Sequence, residues 1–263
     1  MAKESPLVLN RPWGAMHYRI LGHGPLVVFA NALGTDLRLW DRLLPLLPKG
    51  LRYVRYDKPG HGLSDLAETV SIASLADDLA ALILHLGGSA TVVGLSVGGL
   101  TAQALAATRP DLVRALVLSN SAARLGTAAS WQARTEAVTA HGLASIADGV
   151  MARWFTPAFR ATPEFALWRN MLVRTSPTGY NAVCAALGDA DQTAATARLG
   201  LPALVIAGAE DGAAPPDLVR ATAALIAGAE FQVMQGIGHL PCVEAPAAYA
   251  AILIPFLQAH ADG

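Results

Sequence analysis

A serine held between two glycines, where a predicted strand meets a predicted helix, constrains this fold more than any other feature. The segment is Gly94-Leu95-Ser96-Val97-Gly98; an apolar run precedes it at 90–95 and an apolar pattern of helical spacing follows at 97–107. A sharp strand-to-helix turn leaves little room for flanking side chains, and it turns the serine hydroxyl toward the cleft above the sheet. The pattern predicts that Ser96 is a nucleophile facing this cleft; the alternative is a plain turn of small residues.

Short β-branched apolar runs alternate with longer segments of helical spacing along most of the chain. Strands are predicted at residues 16–21, 26–31, 51–56, 90–95, 112–118, 203–207 and 231–234. Helices are predicted at 37–47, 72–86, 97–107, 216–226 and 246–259. This alternation is typical of an α/β fold with a mostly parallel sheet. The turn at residues 22–25 is hairpin-like and predicts an antiparallel start to the sheet.

The alternation of strand and helix patterns stops between residues 126 and 198. No convincing strand pattern occurs there, and apolar residues recur at helical spacings. We expect one domain over residues 1–263, with a core formed by 1–123 and 199–263. A helical cap inserted at about 124–198 completes it. The chain has no internal repeats and no linker rich in Pro, Gly and Ser that would separate two domains.

Composition excludes several classes of function. The net charge of −1 provides no basic stripe for nucleic acid. The longest apolar run, 247–257, is shorter than the roughly 20 residues that span a membrane, and Pro255 interrupts it. The first residues resemble no secretory signal, and Cys184 and Cys242 are too far apart in sequence for a metal or redox motif. We therefore expect a cytoplasmic protein with two inert thiols.

A serine hydroxyl is a weak nucleophile that needs a neighbouring base. His239 follows the last predicted strand in a glycine-rich loop, whereas the other six histidines lie in less suitable places. Asp211 follows the strand at 203–207 and is the expected acid, with adjacent Glu210 as its competitor. The stretch 119–121, where some relatives of such folds keep the acid, contains no carboxylate. The acid would hold the imidazole in orientation without taking its proton.

Two backbone N–H groups are needed to stabilise the oxyanion that develops at the reacting carbonyl. Val97 follows the nucleophile, and Leu33 lies in the loop after the strand at 26–31, so these two are the expected donors. His61 lies in a glycine-containing loop that we interpret as structural. Asp189 and Asp191 are interpreted as solvated loop acids, because no histidines accompany them at metal-ligand spacing. No metal is expected.

The chain resembles the 3-oxoadipate enol-lactonases, which have the α/β-hydrolase fold. The likeness covers nearly the whole chain and includes the predicted cap, at residues 31–41, 55–65, 94–100, 120–126, 153–156 and 184–191. The departures are Val97, where methionine is usual, and the stretch after Asp211, where proline commonly follows. Neither departure removes a catalytic group, although Val97 alters the pocket wall.

This resemblance implies hydrolysis of 3-oxoadipate enol-lactone in the β-ketoadipate pathway of aromatic catabolism, without a cofactor. The small-molecule substrate carries a carboxylate, so the cleft should contain a cation. Arg134 is the preferred residue, because Trp131 lies three positions earlier on the same helical face. Trp131 and Trp154 could contact substrate or simply pack within the cap. The other candidate cations are Arg124, Arg153, Arg38 and Arg174.

Several alternatives share these residues. Serine at the turn argues against dehalogenases and epoxide hydrolases of this fold, which use a carboxylate there. Other carboxylesterases and lactonases, C–C bond hydrolases and cofactor-free perhydrolases would keep the same triad. A non-catalytic ligand receptor is a further alternative, distinguished by the absence of multiple turnover. The sequence makes no prediction of the oligomeric state.

Overall fold

Parallel strands form most of the sheet. In the computed structural model, which describes residues 7–260, the strands are β1 (Leu7–Arg11), β2 (Gly14–Gly22), β3 (Leu26–Ala30), β4 (Arg52–Tyr56), β5 (Ala90–Leu95), β6 (Val113–Ser119), β7 (Ala203–Gly208) and β8 (Glu230–Met234). Their order across the sheet is β1-β2-β4-β3-β5-β6-β7-β8. β2 is antiparallel to both of its neighbours, and all pairs from β4 to β8 are parallel.

Burial explains why these strands were recognisable in the sequence. Every residue of β3, β5 and β7 is buried. A strand covered on both faces needs a continuous apolar run rather than an alternating one. The expected α/β-hydrolase architecture, a mostly parallel sheet flanked by helices, is confirmed.

The antiparallel start is present, but the hairpin predicted around residues 22–25 is wrong. β2 and β3 are not neighbours, because β4 lies between them and pairs with both. The antiparallel partner on the outer side of β2 is β1, which the sequence analysis missed. A local turn signal cannot show that a later strand will insert between the two strands that it joins.

The helix predicted at 37–47 is also wrong. Two short 3-10 turns occupy this stretch, Leu37–Trp40 and Leu44–Leu46. Pro45 lies in the second turn and has no N–H to donate to an α-helical bond. Apolar residues spaced by three or four positions suit successive 3-10 turns as well as one α-helix.

The α-helices of the core flank the sheet; they are α1 (Ile72–His85), α2 (Val97–Thr108), α9 (Pro216–Ala223), α10 (Pro241–Glu244) and α11 (Pro246–Ala259). We call residues 124–198 the cap segment. It contains α3 (Ala128–His141), α4 (Ala144–Trp154), α5 (Pro157–Arg160), α6 (Phe165–Val173), α7 (Pro177–Gly188) and α8 (Thr193–Thr196), with no strand in this fully described stretch.

The carboxyl ends of the parallel strands define one edge of the sheet, which is where open α/β sheets bind their ligands. Five residues follow these ends. They are Leu33 after β3, Ser96 after β5, Asn120 after β6, Asp211 after β7 and His239 after β8.

Candidate active site

Ser96 occupies a strained turn between β5 and α2. Its φ of 57° and ψ of −121° lie outside the regions that ordinary residues favour. A Cβ on Gly94 would come within 2.4 Å of the Gly98 carbonyl oxygen, and one on Gly98 within 2.1 Å of the Ala30 oxygen. Both glycines are therefore required by the close approach of backbone to backbone, and the turn keeps Ser96 at the amino end of α2.

His239 and Asp211 form a buried pair. The His239 Nδ1 and Asp211 Oδ2 atoms are 2.7 Å apart. The other carboxylate oxygen, Oδ1, accepts hydrogen bonds from the backbone N–H groups of Ala213 and Ala214, at 2.7 and 2.9 Å. Asp211 is thus held as a hydrogen-bonded anion in a place where an unsatisfied charge would be costly. Glu210, its competitor in the sequence, is exposed.

Asn120 is a site residue that sequence reasoning missed. Its Nδ2 atom donates to Asp211 Oδ2 at 2.9 Å and to the Gly238 carbonyl at 3.2 Å. Its φ of 48° is one that asparagine tolerates better than most residues. The sequence indicated only that the position after β6 lacks a carboxylate, whereas the structure places an amide donor there against Asp211.

The cap segment is tied to the histidine loop by hydrogen bonds. The N–H of His239 donates to the Trp154 carbonyl at 2.7 Å. Glu244 accepts from the Gly238 N–H at 2.9 Å and also from the N–H and hydroxyl of Thr156. The end of α4 and the loop after β8 therefore hold each other in place. Glu244 was not singled out in the sequence.

The N–H groups of Leu33 and Val97 are candidates for an anion site. Within residues 7–260, neither of them donates a hydrogen bond to the protein. Both residues are at least 95% buried, and buried N–H groups without an acceptor are rare in folded proteins. Such a pair beside Ser96 is suited to an oxygen atom that acquires negative charge.

Ser96 and His239 open into one pocket under the cap segment. Its lining is Ala32, Leu33, Ser96, Leu125, Trp131, Arg134, Trp154, Tyr180, Ala213 and His239. All three residues predicted to bind substrate, Arg134, Trp131 and Trp154, are therefore in the same pocket as Ser96.

The polar side chains at the cap side of this pocket are cationic or neutral. The Arg134 guanidinium lies 4.7 Å from the centre of the Trp131 ring, and no carboxylate within the described residues pairs with it. Burial raises the pKa of Tyr180 to about 12 despite the nearby charge of Arg134. The Tyr180 hydroxyl is buried beside the Arg134 guanidinium and donates no hydrogen bond within residues 7–260. Sequence reasoning missed Tyr180, since a tyrosine on a cap helix carries no distinguishing signal.

The other four candidate arginines lie elsewhere. Arg38 and Arg174 line a separate surface groove, and Arg124 is 3.7 Å from Asp191. Arg153 lies in an outer groove that it shares with Arg134. The pKa of Arg153 is lowered mainly by burial and to a smaller extent by the charge of Arg134.

His61 donates from Nδ1 to the Pro59 carbonyl and accepts from the Gly34 N–H at Nε2, 3.1 Å away. Burial and the charge of Lys58 lower its pKa well below the usual value, so the ring is neutral and holds the loop. Cys184 and Cys242 are free and buried. The described residues contain no cluster of metal-ligating side chains and no helix long and apolar enough to cross a membrane.

Comparisons with known proteins agree with this architecture. The family described as the alpha/beta hydrolase fold matches residues 25–246. A 3-oxoadipate enol-lactonase of Acinetobacter baylyi is 37% identical over 203 residues, which cover 75% of this chain and 76% of the relative. A second 3-oxoadipate enol-lactonase of the same organism is 31% identical over 260 residues, 97% of each chain.

The crystal structure of an enol-lactonase from Burkholderia xenovorans LB400 superposes with a TM-score of 0.92 at 34% identity. The alignment covers 96% of this chain and all of that one, so the likeness includes the cap segment. The chain therefore belongs to the α/β-hydrolase fold family, in the group that contains the 3-oxoadipate enol-lactonases.

Proposed function

We propose that this protein hydrolyses 3-oxoadipate enol-lactone to 3-oxoadipate, with Ser96 as nucleophile, His239 as base and Asp211 as the acid that orients His239. One observation carries the proposal. The strained Ser96, the histidine of a buried His–Asp pair and Leu33 line a single pocket, and the N–H groups of Leu33 and of Val97, which follows Ser96, lack acceptors. Serine hydrolysis of an acyl group requires these three components.

Acylation begins when Ser96 Oγ attacks the lactone carbonyl and His239 Nε2 takes the hydroxyl proton. Negative charge then develops on the carbonyl oxygen, between the N–H groups of Leu33 and Val97. Asp211 stabilises the imidazolium and keeps its own charge, since the carboxylate is fully engaged by hydrogen bonds. The carbon–oxygen bond of the ring breaks, and the ring oxygen takes a proton from His239 to leave as an enol.

Deacylation repeats these roles with water. The enol remains attached to the acyl chain and tautomerises to the ketone. His239 then takes a proton from water, which attacks the Ser96 ester through the same oxyanion site. Breakdown of the second tetrahedral intermediate returns a proton to Ser96 and releases 3-oxoadipate. The net reaction converts one enol-lactone and one water into 3-oxoadipate.

The substrate carboxylate would bind at the cap side of the pocket. Arg134 has no carboxylate partner among the described residues, and its position over Trp131 places the charge beside an apolar wall. The Tyr180 hydroxyl, which donates to no acceptor among the described residues, can donate a second hydrogen bond to the carboxylate. In this proposal residues 124–198 serve as the cap that supplies substrate recognition.

The substrate assignment is tested by following the ultraviolet absorbance of the enol-lactone beside a panel of neutral esters, with wild type and Arg134→Met. A charge-assisted hydrogen bond contributes about 1.5–3 kcal/mol, so Arg134→Met should lower kcat/KM for the lactone by about 10- to 100-fold. Hydrolysis of a neutral ester should change little.

Arg124→Met is the matched control, because Arg124 lies in the same segment but faces Asp191 and not the pocket. The Arg124→Met substitution should leave kcat/KM unchanged for both the lactone and the neutral ester. Equal losses on lactone and neutral ester in Arg134→Met would reject the carboxylate contact. A wild-type protein that hydrolyses neutral esters but not the lactone would indicate a different carboxylesterase.

A further inference from the structure

A buried lysine lies behind the turn that carries the Leu33 N–H group. Lys58 is only 4% exposed, and its Nζ atom donates to the carbonyls of Ala32 at 2.7 Å and Thr35 at 3.1 Å. These carbonyls belong to the first and last residues of the turn. Gly34 has a φ of +72° within it, which fits glycine in the third position of a tight turn. The ammonium therefore joins both ends of the turn.

The Ala32 carbonyl has three donors. Besides Lys58 it accepts from the Thr35 hydroxyl at 2.9 Å and the Thr35 N–H at 3.3 Å. Its peptide group is the one that ends in the N–H of Leu33. Hydrogen bonds in series polarise one another, and a charged donor polarises more strongly than a neutral one. An ammonium on the Ala32 oxygen thus makes the Leu33 N–H a better donor.

The Lys58 ammonium forms no ion pair with a carboxylate of the described residues, because none lies within 4 Å of its Nζ atom. The neighbouring carboxylates have other partners: Asp57 accepts from His17 and two backbone N–H groups, and Asp36 pairs with Arg38. Burial lowers the pKa of Lys58 to about 7, against the opposing effects of Asp57 and Asp36. Burying a cation costs folding free energy, which points to a role for Lys58 beyond stability.

We propose that Lys58 is a positioning residue of the oxyanion site: its ammonium fixes the turn of residues 32–35 and polarises the peptide whose N–H, from Leu33, faces the reacting carbonyl. The inference rests on the proposed function, since it presumes an oxyanion beside Ser96. Lys58 itself touches no substrate and transfers no proton. Its charge acts through the peptide group between Ala32 and Leu33. The stabilisation is largest when the carbonyl oxygen of the substrate carries full negative charge.

The test compares two variants in hydrolysis of a neutral 4-nitrophenyl ester. Lys58→Met removes the ammonium and retains an unbranched side chain, whereas Thr35→Val removes a neutral donor from the same Ala32 oxygen. Loss of a direct oxyanion donor costs about 100-fold or more in kcat, so loss of a group acting through one donor should cost about 10-fold. KM should stay within about twofold, because the ground-state carbonyl carries little charge. Thr35→Val should have the smaller effect.

An alkylboronic acid supplies an independent readout, because its tetrahedral adduct with Ser96 mimics the anion. Lys58→Met should weaken its binding by the same factor as kcat. The proposal is overturned if kcat and boronate affinity of folded Lys58→Met remain within twofold of wild type, or if Thr35→Val loses as much as Lys58→Met. A wild type that neither hydrolyses esters nor binds the boronate would instead refute the proposed function, and this inference with it.

The pH profile separates charge from packing. The titratable and charged groups around Lys58 are Asp57, Asp36, His61, His17 and Arg38. Wild-type kcat should fall as rising pH removes the Lys58 proton, and Thr35→Val should keep this fall while Lys58→Met lacks it. If Lys58→Met does not fold, the pH dependence of wild-type kcat alone tests the proposal. A kcat of folded protein that does not fall from about pH 7 to about pH 9, the range in which Lys58 loses its proton, overturns the proposal.

Discussion

Adding one methyl group at Gly98 should damage both stability and catalysis. In Gly98→Ala the new Cβ would lie 2.1 Å from the Ala30 carbonyl oxygen and 2.5 Å from its carbon. Both are backbone atoms of β3, which cannot move aside as a flexible side chain can. An ordinary contact needs more than 3 Å, so α2 must separate from β3 by about 1 Å.

The magnitude follows from that displacement. Overpacking in a well-packed core costs about 1–3 kcal/mol in the free energy of unfolding, and each kcal/mol corresponds to about 2–4 °C in Tm for a chain of this size. Ser96 and the Val97 N–H lie at the start of α2 and move with it. A misplacement of about 1 Å at reacting groups can cost about 100-fold in rate.

The assay is denaturant unfolding together with kcat/KM for a neutral ester. Gly149→Ala is the matched control, because its new Cβ would meet nothing within 4 Å in the interior of α4. It should gain about 0.5–1 kcal/mol from helix propensity and keep full activity. A Gly98→Ala protein as stable and active as wild type would refute the argument that backbone crowding requires glycine at 98.

Three further predictions follow from other buried groups. Asn120→Gly keeps the φ of 48° accessible but removes a donor from Asp211; unfolding should be easier by about 1–3 kcal/mol and ester kcat lower, and denaturation curves and kinetics identical to wild type would contradict this. Burial lowers the Lys58 pKa from 10.5 to about 7, so the unfolded state binds more protons between these values and the free energy of unfolding should rise with pH from about 7 to about 10. Lys58→Met should lack that rise in denaturation at the two pH values, and an equal rise in both proteins would exclude Lys58 as its cause. Burial raises the pKa of Cys184 to about 12, so it should resist iodoacetamide until the chain unfolds; peptide mass mapping that finds it alkylated in native protein would contradict its burial.

Most of the sheet could be predicted because its strands are buried on both faces and the chain alternates regularly between strand and helix. The errors arose where pairing is not local. Tyr18 of β2 pairs with Tyr56, and Val28 of β3 pairs with Val54, so β4 separates two strands that adjoin in sequence. At 37–47 the apolar spacing was real, but Pro45 favours short 3-10 turns.

The placement of a candidate residue was predictable where its neighbours in sequence define the turn, as at Ser96, or where strand order defines the loop, as at Asp211 and His239. Supporting residues carry no such mark. Lys58 donates to a carbonyl 26 positions away, and Asn120 donates to a carboxylate 91 positions away. Their roles depend on which loops meet at one edge of the sheet, and a single sequence does not specify these contacts.

The proposed mechanism requires that Ser96 carry the acyl group during hydrolysis. Its most direct test is the rate of loss of enol-lactone absorbance with Ser96→Ala, measured beside wild type with both proteins verified as folded. We expect the variant to lose activity by several orders of magnitude, since removing the nucleophile leaves only the oxyanion donors and binding. Undiminished hydrolysis by Ser96→Ala would exclude Ser96 as the nucleophile.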